Sequence, residues 1–240
     1  MPYIKEVCMC GKVKEVYKYH TYRYNSKKRP RNEKQNKTSE CQQKVNQRKA
    51  QKHLRRIINN NFVDGDLFLT LTYNDVLVSS ECAKKSLANF LRRFKYCYNK
   101  FGQPLKYIAV TEYKNKRIHH HIIINNVSDV DIKTINDLWG GGYVRCTVLN
   151  SKGDYSKLAE YLIKETSKTY NQPDRIYSKR WNQSQNLVMP EVKKIIIKSE
   201  TWNRLPAKQT NGYILMSDSV QSGFTDDGYP FMFYAMIKIE

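Results

Sequence analysis

The sequence predicts an α+β fold: a central antiparallel sheet of about five strands in a split β-α-β arrangement, flanking helices, and a β-rich C-terminal extension. Three observations predict it. DLFLTLTY (66–73), following Gly65, alternates residue by residue as a half-buried strand does. LKYIAVTEY (105–113) and RIHHHIIIN (117–125) read as two strands around a tight turn. Segments with helical spacing separate these runs, so the order from residue 66 is strand, helix, strand, strand, helix, strand, helix. The 240 residues suffice for one well-buried domain with extensions.

The elements follow in order. KVKEVYKYHTYRY (12–24), rich in Tyr and Val, reads as a short strand; SKKRPRNEKQNK (26–37), basic and containing Pro30, reads as a linker or phosphate-binding arm. Ser39 opens a helix, with Gln42 completing a capping-box pattern. Its apolar stripe is Ala50, Leu54, Ile57 and Ile58, while Lys44, Arg48, Lys49, Lys52, Arg55 and Arg56 crowd the remaining surface. Ser80 caps a second helix whose inner face is Ala83, Leu87, Phe90, Leu91, Phe94 and Tyr98, and Gly102 and Pro104 end it. A short helix at 131–138, glycines 140–142 and the strand YVRCTVL (143–149) come next. Asp154 opens the last helix, which runs to about Lys168. The first six elements from residue 66 make a ferredoxin-like or RRM-like sheet. Beyond them KKIII (193–197), GYILM (212–216) and PFMFYAMIKI (230–239) read as strands, with DDG (226–228) as a hairpin turn.

The charge narrows the partner. Lys and Arg number 42 against 22 Asp and Glu, giving +20; residues 1–63 hold 17 basic and 4 acidic side chains, so +13 lies in the first quarter. Such a bias favours phosphate-rich partners, because each neutralised phosphate releases a counterion. A solvated basic face is the bland alternative. No apolar run reaches bilayer-spanning length and the N-terminus has no secretory core, so a cytoplasmic protein without a membrane partner is expected. The six cysteines include no CxxC pair and are expected to be reduced thiols. No GxxxxGK[ST] sequence is present, so neither a nucleotide cofactor nor a fused helicase is expected.

Three of the five histidines stand together in RIHHHIIINN (117–126). Alternate strand residues share a face, so His119 and His121 point one way and His120 the other. With an even-length turn around Asn115-Lys116, Glu112 pairs with His119 and joins both histidines on one side; an odd-length turn puts it on the opposite face. Two neutral imidazoles and one carboxylate leave coordination positions open, which suits a catalytic divalent cation better than a closed structural site. The same ligand set occurs in non-haem iron oxygenases, which usually draw their second histidine from a distant strand. His120 is expected to tolerate substitution better than its neighbours.

The last helix, DYSKLAEYLIKETSK (154–168), turns Tyr155, Leu158 and Leu162 toward the sheet. Tyr161, Lys164, Glu165 and Lys168 share a second face. A tyrosine hydroxyl is a poor nucleophile at its ordinary pKa of about 10. A metal-polarised phosphate or a positioned lysine changes that. Taken alone, the helix is better read as an ordinary amphipathic surface helix.

Together, FLTLTY (68–73), HHH (119–121) and YLIKE (161–165) resemble, in order, the motifs of the HUH-endonuclease superfamily, specifically rolling-circle replication initiators (Rep proteins) of phages and small plasmids. His120 stands where the family motif has a bulky apolar residue. The flanks NQRKAQKHLRRIINNNFVDGDLFLTLTY and YSKRWNQSQNLVMPEV resemble replication-associated proteins of Gram-positive bacteria and their mobile elements. The resemblance implies an HUH endonuclease domain at 38–172, a basic arm or strand at 1–37, and a C-terminal extension at 173–240 packed on the catalytic domain. It implies that Glu112, His119 and His121 hold Mg²⁺ or Mn²⁺, with Glu165 assisting. It implies that Tyr161 attacks a single-stranded or hairpin origin phosphate, leaving a 5′-phosphotyrosine and a free 3′-OH, while Lys164 positions the phosphate or stabilises charge. Tyr155, on the buried face, and Tyr170, past the helix end, are weaker nucleophile candidates. Arg48, Lys49, Lys52, Arg55, Arg56, Arg117 and Lys168 are the expected DNA contacts, with Trp181 and Trp202 available to stack bases or fill the core. Host helicase and polymerase are the implied partners, in a bacterial cytoplasm. Two rivals stand: a transposase or relaxase of the same chemistry, and a non-catalytic RRM-like nucleic-acid binder.

Overall fold

The computed structural model describes residues 1–24, 39–75, 78–113, 117–170, 177–198 and 204–239, with the side chains of Lys168 and Thr169 excepted. In chain order the elements are β1 (Tyr3–Cys10), β2 (Val13–His20), α1 (Glu40–Asn61), β3 (Leu67–Thr72), α2 (Ser80–Lys100), β4 (Tyr107–Glu112), β5 (His119–Ile124), α3 (Ile132–Trp139), β6 (Val144–Val148), α4 (Ser156–Tyr170), β7 (Asn182–Gln183), β8 (Glu191–Ile196), β9 (Gln209–Thr210), β10 (Tyr213–Phe224) and β11 (Pro230–Lys238). They form two compact units, Gln47–Val188 and Met1–Asn46 with Met189–Glu240.

In the Gln47–Val188 unit the strands lie in the order β6-β3-β5-β4-β7, every neighbouring pair antiparallel. The first four reproduce the expected split β-α-β pattern, and β7 completes the expected five strands at residues the sequence reading had left unassigned. Alternation in β3 assigns the faces. Leu67, Leu69, Leu71 and Tyr73 join Ile122, Ile124 and the inner faces of α2 and α3 in one core. On the opposite side Ile108, Val110 and Ile123 pack under α1 (Leu54, Ile57, Ile58) with Phe62 just after it, and under α4 (Ala159, Leu162, Ile163) with Tyr155 just before it. Leu69, Phe90, Phe94 and Ile123 are fully buried, and each such side chain contributes about 1.5–3 kcal/mol of transfer free energy.

Helix ends follow local chemistry. The cap of α2 is Ser79, one residue before the expected Ser80; its Oγ accepts the Cys82 amide at 3.2 Å. Asp131 caps α3, and Gly140, in the left-handed region at φ +60°, ends it. Gly142 has a different reason to be glycine: a Cβ there would lie 2.4 Å from the Thr72 carbonyl oxygen. Any side chain at 142 therefore forces the end of β3 aside. Helix α4 runs through Tyr170, so that tyrosine is its last residue and not beyond it.

The second unit holds a six-stranded sheet in the order β8-β1-β2-β11-β10-β9. The N-terminal segment, expected as an arm with one short strand, is a hairpin of two eight-residue strands. Strand β2 pairs with β11 from Val13↔Ile237 to Lys18↔Met232, and β1 pairs with β8 from Ile4↔Ile196 to Met9↔Glu191. The segments at the two ends of the chain are thus parts of one sheet. The expected turn at 226–228 closes β10 onto β11, with Gly228 at φ +78° and its amide donating to the Thr225 carbonyl. Pro30, the Asn115-Lys116 turn and Trp202 lie outside the described residues.

Candidate metal centre and its tyrosine

The site grows from the register of three strands. Glu112 pairs with His119 across the β4–β5 hairpin, as an even turn requires. On the other side of β5, Thr72 faces His119 and Thr70 faces His121. Thr70, Thr72, Glu112, His119 and His121 therefore occupy the α1/α4 side of the sheet, at the end where the helices leave it partly open. One ligand atom each from Glu112, His119 and His121 lies within 4.8 Å of the others.

Hydrogen bonds orient the rings. His119 Nδ1 is 2.9 Å from the Arg117 carbonyl, which only accepts, so Nδ1 carries the proton and a neutral ring presents its Nε2 lone pair. That Nε2 lies 3.0 Å from Glu112 Oε2. At that distance either a proton on Nε2 or a shared cation would bridge the two groups. Two adjacent ligands about 2.1 Å from an octahedral cation are about 3 Å apart, which is the separation seen here. His121 Nδ1 is 3.2 Å from Thr70 Oγ1, leaving Nε2 3.8 Å from Glu112 Oε2. Burial, then His119, lowers the His121 pKa to about 4 against the opposing charge of Glu165, so the ring is neutral at neutral pH. The chemistry of the set suits a hard or borderline divalent cation.

Tyr161 approaches from α4. Its hydroxyl lies 3.1 Å from His121 Nε2, and its ring meets His121 edge-on at 5.3 Å. Tyr161 is 40 % exposed. Phe68 stacks on the outer face of His121, 5.6 Å away at 9°, and touches Tyr161 edge-on at 6.5 Å. Phe68 and Thr70 are site residues that the sequence reading passed over. The signal was available: Phe68, Thr70 and Thr72 alternate in FLTLTY onto the face that carries the histidines.

The other expected residues divide. Glu165 is buried near His121 but is not one of the three converging ligands. Lys164 is exposed on the following turn of α4. Arg48, Lys49 and Arg117 are exposed; Lys52 and Arg55 are half-buried. Arg56 is a correction: it is only 7 % exposed, on the buried side of α1 beside His53, and does not display its charge as a DNA contact would. The side chain of Lys168 lies outside the described residues.

His120 is a second correction. It does point to the opposite face, but it is fully buried. Its Nε2 is 2.8 Å from the Tyr73 hydroxyl and its Nδ1 2.9 Å from Thr111 Oγ1. Burial, with His119 and His121 adding to it, lowers its pKa to about 3. A polar residue so enclosed is a fixed part of the core, not a tolerant position.

Residues 66–170 match the family of replication-associated protein ORF2/G2P. The matched segment contains the whole centre, from Phe68 to Glu165. The matched segment is similar to a rolling-circle Rep-type domain. It carries an HUH-like pair, His119 and His121, with Glu112 beside it. No curated protein and no solved structure matches the chain. No helix among the described residues is long and apolar enough to cross a membrane.

Proposed function

We propose that the protein nicks and rejoins single-stranded DNA at a rolling-circle replication origin, with Tyr161 as nucleophile and a divalent cation, Mg²⁺ or Mn²⁺, held by Glu112, His119 and His121. The observation that carries the reading is the 3.1 Å approach of the Tyr161 hydroxyl to His121, inside a ligand group within a Rep-type segment. When bound, the cation polarises the scissile phosphate and offsets charge in the transition state.

The chain's own residues do the rest. Helix α4 holds the Tyr161 oxygen beside the ligand group, which makes its attack on a bound phosphate effectively unimolecular. The Tyr161 oxygen forms a bond to phosphorus as the bond to O3′ breaks; the phenolic proton leaves to solvent and O3′ takes one up. One phosphodiester is exchanged for another, so no energy source is required and a 3′-OH can reverse the step to rejoin the strand. Lys164 offers a cation to the phosphate from the same helix, and Glu165 steadies His121. Arg48, Lys49 and Arg117 contribute phosphate contacts. The 3′-OH primes a host polymerase, with a host helicase unwinding, in the bacterial cytoplasm.

The test is a covalent one. The protein is incubated with a pool of single-stranded oligonucleotides and Mn²⁺, and resolved on a denaturing gel. An adduct resistant to denaturation is expected; Tyr161→Phe abolishes it and EDTA prevents it. Adduct formation by Tyr161→Phe removes the assigned nucleophile, and undiminished nicking in EDTA removes the metal.

A further inference from the structure

We infer that Cys8 and Cys10 are a reversible dithiol–disulfide pair, and that closing the bridge loosens the turn end of the β1–β2 hairpin. The pair lies in the unit of Met1–Asn46 and Met189–Glu240, and its chemistry is independent of the nicking function proposed above.

The two residues stand at i and i+2 in β1 and so share one face of the strand. Both side chains are fully buried, and their sulfurs are 3.2 Å apart. In the reduced state one thiol donates to the other across that gap. A disulfide brings the sulfurs to about 2.05 Å, so a movement of about 1 Å separates the contact from the bond. Of the other cysteines, Cys41 and Cys82 are exposed and Cys97 and Cys146 half-buried.

The strand opposes that movement. At a rise of roughly 3.3 Å per residue, i and i+2 have Cα atoms about 6.6 Å apart, whereas a disulfide most often holds them about 5.5–6 Å apart. Closing the bridge therefore draws Cys8 toward Cys10 and shortens β1 at that point. The pairs disturbed are Cys8↔Glu15 and Cys10↔Val13 on the β2 side, and Cys8↔Val192 on the β8 side. The reduced pair fits the extended ladder; the oxidised pair loosens its end.

Placement gives a small oxidant a way in. Cys10 directly precedes Gly11 and Lys12, which are exposed and form the hairpin turn. Strand β8 pairs with β1 only as far as Met9. Fraying of the hairpin end thus uncovers the sulfurs without unfolding the sheet.

The oxidant is a peroxide. One sulfur attacks a peroxide oxygen as the O–O bond breaks, giving a sulfenic acid and water. The second sulfur attacks the sulfenic sulfur; the S–S bond forms, the S–O bond breaks, and a second water carries off the remaining thiol proton. Two thiols are oxidised and one peroxide is reduced. A free thiol reverses the step through a mixed disulfide. Only Met9 lies between the two cysteines, so the bridge closes a minimal loop, restricts the unfolded chain little and is readily reduced.

The experiment weighs the peptide that carries both thiols. The intact protein is reduced, freed of reductant and treated with hydrogen peroxide. Remaining thiols are blocked with N-ethylmaleimide after denaturation, and tryptic peptides are analysed by mass spectrometry. The peptide of residues 6–12 should be lighter by two hydrogens and carry no maleimide. Dithiothreitol added before blocking should restore its mass, with two maleimides bound. Oxygen gained at Met9 is a separate increase that does not mimic this loss. Hydrogen–deuterium exchange of β1 and of the facing end of β2 should be faster in the oxidised protein. Cys10→Ala should show neither the two-hydrogen loss nor the faster exchange; the wild-type masses decide the pairing even where this variant folds poorly. Two maleimides on the peptide at peroxide doses that oxidise the exposed Cys41 and Cys82 overturn the pair. So does sulfinic acid at either position without a bridge, or a bridge to any other cysteine. A Cys8–Cys10 bridge with unchanged exchange overturns the loosening of the hairpin.

Discussion

The Tyr161 hydroxyl lies 3.1 Å from His121 Nε2, the same nitrogen that His121 turns toward Glu112. One atom therefore serves both the tyrosine and the ligand group. A cation held at Nε2 would take the place of this hydrogen bond and would leave the hydroxyl available to a phosphate. Tyr161→Phe removes the competitor. The variant should bind Mn²⁺ at least as tightly as wild type by titration calorimetry, while adduct formation falls by about three orders of magnitude or more. Weaker metal binding in this variant would place the hydroxyl among the ligands instead.

Glu112 supplies the one carboxylate of the converging group. Loss of an outer partner of a metal site costs about 10–100-fold in affinity, so loss of a ligand costs more. Glu112→Gln should weaken Mn²⁺ binding by more than about 100-fold. Circular dichroism should show the fold retained, since Gln keeps the volume and a hydrogen-bonding oxygen. Unchanged affinity would remove Glu112 from the site.

His120 fills the core between β3 and α3, with both nitrogens hydrogen-bonded and its ring edge-on to Trp139 at 5.8 Å. His120→Ala leaves a cavity and removes one hydrogen-bond partner each from Tyr73 and Thr111. Urea unfolding should show a loss of about 2–4 kcal/mol. A loss below about 0.5 kcal/mol, the range of ordinary surface changes, would mean the position tolerates change after all.

The same burial gives a pH signature. The folded-state pKa values of His120 and His121 are lowered to about 3 and about 4, chiefly by desolvation. Below the unfolded value of about 6.5 the unfolded chain binds more protons, so stability rises with pH across this window and is complete above it. In EDTA, the unfolding free energy at pH 5 should be lower than at pH 7.5 by about 2 kcal/mol for each histidine. An identical urea midpoint at the two pH values would show both rings to be solvated.

Arg48 and Lys49 are exposed near the start of the part of α1 that belongs to the Gln47–Val188 unit. Each phosphate contact to a single strand contributes roughly 0.7 to the slope of log K against log salt. Replacing both by Ala should flatten that slope by about 1.4. A slope equal to wild type would make them a solvated face.

What the sequence disclosed was whatever repeats with a period. The period-two pattern of FLTLTY and HHHIII determined the faces of the sheet, and with them the convergence of Glu112, His119 and His121. The helical spacing of Ala83, Leu87, Phe90, Phe94 and Tyr98 marked α2 and its buried side. What stayed hidden depends on tertiary neighbours. Polar His120 gave no sign that Tyr73 and Thr111 would enclose it. Arg56 looked like its exposed neighbours because charge alone does not say which side of a helix is covered. Strand β1 was missed because YIKEVCMC mixes charge and thiols, and its alternation matters only once β2 and β8 flank it.

The sheet that joins the two ends of the chain has a consequence for biosynthesis. Strand β2 is made before the Gln47–Val188 unit, and its partner β11 only after it. On the ribosome the β1–β2 hairpin must wait, its β1 edge uncovered until β8 emerges and its β2 edge until β11 does, about 200 residues later; meanwhile the Gln47–Val188 unit has all its strands and can fold. The second unit closes last, so a message truncated between residues 197 and 230 would release a chain with the Gln47–Val188 unit complete and the β2 edge open to aggregation or proteolysis.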